Sequence, residues 1–402
     1  MRTPRALQAG FTIVEMMIST MIMMAVTGAV FTLMNPAQGT YQAQPEVSDM
    51  QQGMRVGVDV LTKDILMAGA GVYMGKSTGS LSNYLSPVMP YRVGDVNDDP
   101  TAGVFYRSDT ITLMAVPPTA AQTGVNKAMG NGNSQELDVD AQLNCGTDKH
   151  TDLCGFKAGM RVIIMDVDYS YDFTTITNVQ NEALHLQHSD KLNGAYDSGN
   201  AVITEVAEHT YYLKTDLATG TYQLMHYDGI TTDTPVVDNV VKLAFSYYGE
   251  PQPPAVIAGK AMTDTIGPWT TYGPKPPALG VDNANDSWPA GENCIIQVVN
   301  GLQVPRLPAL AAGSVGEAML TEAQLTDGPW CPDATKNNRF DADLLRIRKV
   351  RVDLRVQAAL AALRGPAGIL FMRAGTSSSS QRYIPDQEIR FDVTPRNMNL
   401  SR

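Results

Sequence analysis

The sequence predicts an α+β protein in which a long N-terminal helix, half membrane-embedded and half amphipathic, packs on an antiparallel β-sheet head. Three features carry that expectation. Residues 11–34 form an apolar run holding one acid, residues 47–68 repeat apolar side chains at intervals of three and four, and nine β-branched or aromatic-rich segments follow in the 402-residue chain.

The first element is Phe11–Met34. As a helix rising about 1.5 Å per residue it would reach roughly 36 Å, more than the roughly 30 Å of bilayer hydrocarbon. It is too long for a cleavable secretory core, and Met34-Asn35-Pro36 offers no small-residue cleavage site. Arg2 and Arg5 in the preceding MRTPRALQAG, with no acid, hold that leader on the cytoplasmic side and send the bulk of the chain across. Glu15 is the anomaly, because an ionised carboxylate in lipid costs at least about 2.5 kcal/mol and implies a partner. No Lys or Arg lies between Arg5 and Arg55. A cut after Gly10 would create a positive charge, since the freed amine of Phe11 is cationic or nearly so at neutral pH.

A basic leader, Gly10, then FTIVE running into an apolar helix resembles the class III signal of type IV prepilins and of the related pseudopilins of type II secretion. The resemblance implies a type IV pilin-like fold, cleavage by prepilin peptidase between Gly10 and Phe11, and methylation of Phe11. It further implies that Glu15 forms an assembly salt bridge with a neighbouring subunit's N-terminus. Within the group, MRVGVDVLTKDILMAGAG (54–71), VVDNVVKLAFSYYG (236–249) and EIRFDVTPRNMNL (388–400) are similar to minor pilins of the PilW type and, more distantly, to J-type pseudopilins. The implied partners are other major and minor pilins, prepilin peptidase, the inner membrane and the pilus assembly platform, with no cofactor. The implied course is a single-pass inner-membrane protein with a periplasmic head, then a surface pilus subunit near the tip that helps initiate or cap assembly. A secretion pseudopilin, or a filament-tip adhesin or DNA receptor, are the alternatives.

After the span, Pro36, Gly39 and Pro45 predict a kink or an unwound stretch within 35–72, because proline removes a backbone donor and clashes with the preceding turn. Helical periodicity then returns. Val47, Met50, Met54, Val58, Leu61, Ile65 and Ala68 mark one apolar face, and Gly69-Ala70-Gly71 is its stop.

The head is expected over 73–402, with strands at 108–116, 159–168, 173–180, 183–188, 209–216, 221–229, 240–249, 344–356 and 388–395. LATG, ending in Gly220, predicts a hairpin turn between two of them. Two stretches read as additions. Residues 155–205 predict a compact all-β insertion, and 251–335, with 12 of the 24 prolines, predict a long irregular excursion.

Four cysteines, an even number in a chain bound for an oxidising compartment, predict two disulfides. Cys145 and Cys154 enclose a short polar loop and are expected to pair, which leaves Cys294 and Cys331 to close a longer one. Neither spacing is C-x₂-C, and His150 is the sole histidine near either pair, so zinc is not expected.

The net charge is −11, and loss of Arg2 and Arg5 with the leader would leave −13. An acidic chain argues against general nucleic-acid binding, which needs clustered Lys and Arg on phosphates. The basic stretch LLRIRKVRVDLRV (344–356) is expected to place Arg346 and Arg348 on one solvated strand face. AGVYMGKS (70–77) fits a loose phosphate-loop pattern but lacks the strand before it and the helix after it. Asp95, Asn97 and Asp99 alternate like calcium ligands. Pro100 and Tyr106 stand where an EF-hand needs Gly and Glu, so only a non-EF calcium turn is left open. His185 and His188 would face opposite sides of a strand, and no hydrolase motif is present, so enzymatic activity is not expected.

Overall fold

The computed structural model describes residues 10–72, 79–92, 106–130, 136–142, 145, 152–189, 191–217, 220–230, 232–257, 268–283, 286–310, 316–377 and 383–399, without the side chains of 33–40, 42, 221 and 399. They form an N-terminal apolar helix and a mostly antiparallel β body, an α+β class. Two compact units are distinguished, Met1–Gln52 with Gln357–Gln387, and Gly53–Val356 with Glu388–Arg402.

The helix is one unbroken element, Ile13–Met67, of 55 residues. The unwound stretch expected around Pro36 and Pro45 does not form. Each proline deletes one i→i−4 bond, but its fixed φ is itself helical, and the flanking turns keep their bonds. Gly69, at φ 83°, then takes the left-handed conformation that ends the helix, as its position suggested.

In the first unit the carboxylate of Glu46 accepts the amides of Ala359 (2.6 Å) and Leu360 (3.4 Å), fastening the 357–387 segment to the helix. Met50 is buried there. Within that segment Phe371 meets Tyr383 edge-on at 5.5 Å, while Ile369 and Leu370 are exposed.

In the second unit the helix face behaves as its periodicity predicted, with Leu61, Ile65 and Ala68 fully buried. Gly57 sets the approach distance, since a Cβ there would stand 2.9 Å from Leu354 Cδ2. Among the described residues the strands form three antiparallel sheets of four to six strands and two further two-stranded pairs. One orders Val88–Met89, Thr110–Ala115, Ala207–Asp216, Thr221–Tyr227 and Asp233–Asp238; its Asp216–Thr221 end is the expected hairpin. A second orders Ala318–Leu320, Val240–Gly249, Ile347–Val356 and Gln387–Val393.

The third sheet is the insertion. Its six strands, Gln122–Gly124, Val202–Glu205, Arg161–Met165, Tyr171–Gln180, His185–His188 and Glu136–Asp138, close over their own core, which includes Leu137, Val162, Ile164, Ile176, Tyr196 and Ile203. The insertion therefore begins well before the expected residue 155. It fills the interval between Ala115 and Ala207, which are register partners in the first sheet.

The excursion is likewise larger than 251–335. It leaves at Gly249 and returns at Ile347, again register partners. Inside it, Ile296–Val299 and Leu302–Pro305 form a hairpin, and Ala318–Leu320 adds to the edge of the second sheet. The expectation of a solvated face at Arg346 and Arg348 is overturned. Arg346 is 0% exposed and Arg348 is 4% exposed. The Arg346 guanidinium pairs with Asp343 and donates to the carbonyls of Glu250 (3.3 Å), Pro251 (3.2 Å), Gln252 (3.2 Å) and Pro308 (2.5 Å). Its many donors gather a proline-rich backbone that cannot make a regular ladder.

Candidate functional site

The N-terminal segment is the first candidate. Ile13–Thr32 is a 20-residue span with mean hydropathy 1.8, and none of it is buried, so the described residues include one helix apolar enough to cross a membrane. At 1.5 Å per residue it matches the roughly 30 Å of hydrocarbon. Gly10 and Phe11 are exposed at its start. Glu15 has a local partner that the charge argument missed. Its carboxylate accepts the Thr12 amide (2.9 Å) and hydroxyl (2.9 Å), and the Thr12 hydroxyl accepts the Glu15 amide (3.3 Å). This is a reciprocal capping box, in which T-x-x-E satisfies two donors of the first turn. The signal TIVE was present in the sequence. Residues 1–9 of the leader lie outside the described residues.

The cysteines form two disulfides, Cys145–Cys154 and Cys294–Cys331. Asp95, Asn97 and Asp99 lie outside the described residues, as do His150 and most of AGVYMGKS. His185 and His188 do face opposite sides of their strand: His188 is buried, whereas His185 is partly exposed and pairs with Asp138.

The basic stretch 344–356 offers no free cationic stripe. Arg346 meets Asp343, Arg348 meets Glu250, Lys349 meets Glu317, Arg351 meets Asp392 and Arg355 meets Glu388. Each of these positive charges is answered by a carboxylate.

Three polar groupings arise only in the fold. Tyr211 donates to Asp64 of the helix at 2.5 Å, which pins helix to sheet, and His209 Nδ1 and His226 Nε2 are hydrogen-bonded at 2.8 Å across neighbouring strands. Burial and the neighbouring His209 push the His226 imidazole below its ordinary range. Asp327, Asp341 and Asp343 bring carboxylate oxygens within 4.8 Å of one another. There, burial pushes Asp341 up to about 7, while its oxygens accept the amides of Gly328 (2.6 Å) and Asp343 (2.8 Å) and so fix a turn.

The third grouping is a pocket of about 30 Å³ where turns of the insertion meet turns of the excursion, lined among others by Tyr171, Asn193, Asn283, Asp286, Lys336 and Asn338. The Asn/Asp-rich DNANDS (282–287) and KNN (336–338) carry turn chemistry, but nothing in the sequence says that they converge. No protein-family model, no curated protein and no solved structure matches this chain.

Proposed function

We propose that the chain is a minor pilin, cleaved between Gly10 and Phe11, methylated at Phe11, and assembled through Glu15 at or near the tip of a type IV pilus. The observation that carries this reading is the placement of one acid, Glu15, three residues into a fully exposed apolar span whose helix continues into a β-rich body. In the intact chain the carboxylate is held by Thr12. After cleavage the Phe11 amine would stand one residue from that cap, so the same oxygens could face a neighbour's cationic terminus without crossing lipid unpaired. A head enlarged at two places suits a subunit that caps a filament better than one repeated along it.

The test is mass spectrometry of the mature N-terminus in sheared filaments and in membranes. Methylated Phe11 in the filament fraction is the expected result. An intact Met1 found solely in membranes would remove the pilin reading. A paired substitution separates the two roles of Glu15. Gln serves at the third position of a capping box as Glu does, so Glu15→Gln keeps the cap and loses the charge. Piliation should fail in Glu15→Gln as fully as in Glu15→Val, and normal piliation in Glu15→Gln would reduce Glu15 to a helix cap.

A further inference from the structure

Two residues that line the pocket between the insertion and the excursion, Asn283 and Asn338, each carry a side-chain oxygen taken out of water without a donor among the described residues. Asn283 Oδ1 and Asn338 Oδ1 are both shut off from solvent and meet no hydrogen-bond donor among the described residues. A buried acceptor left in that state has lost its water without compensation, so each orphan asks for an explanation.

Exchanging the amide oxygen and nitrogen does not remove the problem. Asn283 Nδ2 donates to Asp286 Oδ2 at 2.6 Å, and Asn338 Nδ2 faces the Tyr171 carbonyl at 3.5 Å. Turning either amide over would set oxygen against oxygen. The oxygens are therefore directed by their own partners, and what they lack is something electropositive.

The surroundings have the same polarity. Asp286 spends one oxygen on the Asn283 amide nitrogen and the other on the Trp288 amide (3.0 Å). Asp333, Asp168 and Lys336 are the other charged groups that act on it. Asp333 is itself fixed by the amides of Ser287 (3.0 Å) and Thr335 (2.7 Å), which ties the 283–288 turn to the 332–338 turn. Across the pocket, Asp172 accepts the amides of Asn193 (2.8 Å) and Gly194 (2.9 Å) and the Tyr196 hydroxyl (2.9 Å), so the insertion's wall is rigid as well. Lys336 reaches toward the Asn193 carbonyl (3.5 Å).

We propose that this pocket is a site for a hard divalent cation, calcium being the probe, held by Asn283 Oδ1, Asn338 Oδ1 and the Asp286 carboxylate. Amide and carboxylate oxygens are the ligands such ions prefer, and calcium tolerates an irregular set completed by water. A cavity of about 30 Å³ has room for an ion and its water but none for a sugar ring. The ion would neutralise the local charge and clamp the excursion to the insertion. This inference is independent of the assembly role proposed above.

The experiment uses the full chain in detergent micelles, stripped with EDTA. Calcium is titrated by calorimetry, and terbium is titrated by luminescence sensitised through Tyr171. One saturable ion per chain is expected, with affinity at least tenfold weaker in Asn283→Leu/Asn338→Leu and in Asp286→Asn. Asn283→Asp, which keeps the oxygen and adds charge, should bind at least as tightly as the parent. Absence of saturable binding, or an affinity unchanged in the leucine pair, overturns the proposal, as would loss of binding in Asn283→Asp. Binding abolished by Asp343→Asn but untouched by the leucine pair would move the ion to the other acidic cluster and overturn it equally. If the leucine pair melts below the parent in EDTA, Asn283→Asp and Asp286→Asn decide.

Discussion

Arg346 is the side chain whose removal should most clearly separate the excursion from the sheets. It is fully buried, its charge is answered by Asp343, and four carbonyls of the excursion converge on its guanidinium. Arg346→Met keeps much of the volume and strands an ionised carboxylate and four acceptors away from water. Breaking a buried pair from one side costs about 3–5 kcal/mol, a large part of a typical domain's stability. Arg346→Lys keeps the charge but cannot present donors to five acceptors, so it should also be destabilised, by less. Removing both charges, in Arg346→Met/Asp343→Leu, should recover part of the loss. The assay is urea unfolding of the full chain together with amide exchange at Leu310, which donates to Pro251 at 2.8 Å inside the gathered backbone. Exchange at Leu310 should accelerate in Arg346→Met while amides of the Tyr171–Gln180 strand stay protected. A loss below about 1 kcal/mol with unchanged exchange at Leu310 would show that the arginine is incidental to the excursion, against the reasoning from buried charge.

The remaining predictions concern the core, the disulfides and pH. Leu61→Ala, which empties a fully buried position between helix and sheets, should cost about 2–5 kcal/mol in urea unfolding, and a loss under about 1 kcal/mol would refute the helix packing. Loop-closure entropy makes the Cys294–Cys331 bridge, with a separation of 37, worth about 4 kcal/mol, and Cys145–Cys154, with a separation of 9, about 3 kcal/mol, so the serine pair at 294 and 331 should be the more destabilised; the reverse order would contradict the entropic account. Asp341 sits near 7 in the fold and near 3.9 in the unfolded chain, so between about pH 4 and 7 the fold holds a proton that the unfolded chain does not. Stability should therefore fall as pH rises through that window, by up to about 1.4 kcal/mol per unit, and Asp341→Asn should flatten the slope in EDTA.

Legibility in the sequence followed the length of the repeating pattern. The 47–68 face was readable because its apolar residues recur through six turns, and the long strands 171–180, 207–216, 240–249 and 347–356 because β-branched and aromatic residues persist through each. Three-residue strands such as Gln122–Gly124 and Glu136–Asp138 carry no such pattern, which is why the insertion was placed too late in the chain. Arg346 was misread for a different reason. Alternating basic residues on a strand describe a solvated face only when nothing covers that face, and here the covering carbonyls belong to loops whose paths no local pattern records. The cap at Glu15 is written locally, in Thr12 three residues before it, but a charge argument does not contain it. The pocket is the extreme case, because Asn283 and Asn338 are ordinary turn residues until two distant turns meet.

Both enlargements are hairpin loops in the strict sense, and this explains how so much chain could be added without disturbing the sheets. Ala115 faces Ala207 in register and Gly249 faces Ile347, so each addition departs and returns at adjacent points of a ladder that would close identically around a two-residue turn. Closing a loop grows costlier only with the logarithm of its length, about 0.6 kcal/mol for each doubling, so the ladders bear little extra cost. The two additions then meet that cost by different means. The insertion has its own buried core and six strands. The described residues of the excursion hold little regular structure and are fastened by point contacts, namely Cys294–Cys331, Arg346 and the Asp333 turn. A segment held at points is one that a bound ion can steady, since a ligand that binds only the folded state stabilises it by RT ln(1 + [L]/Kd). The orphaned oxygens of Asn283 and Asn338 lie where the point-fastened segment touches the self-supporting one, the place where one more tie would change the most.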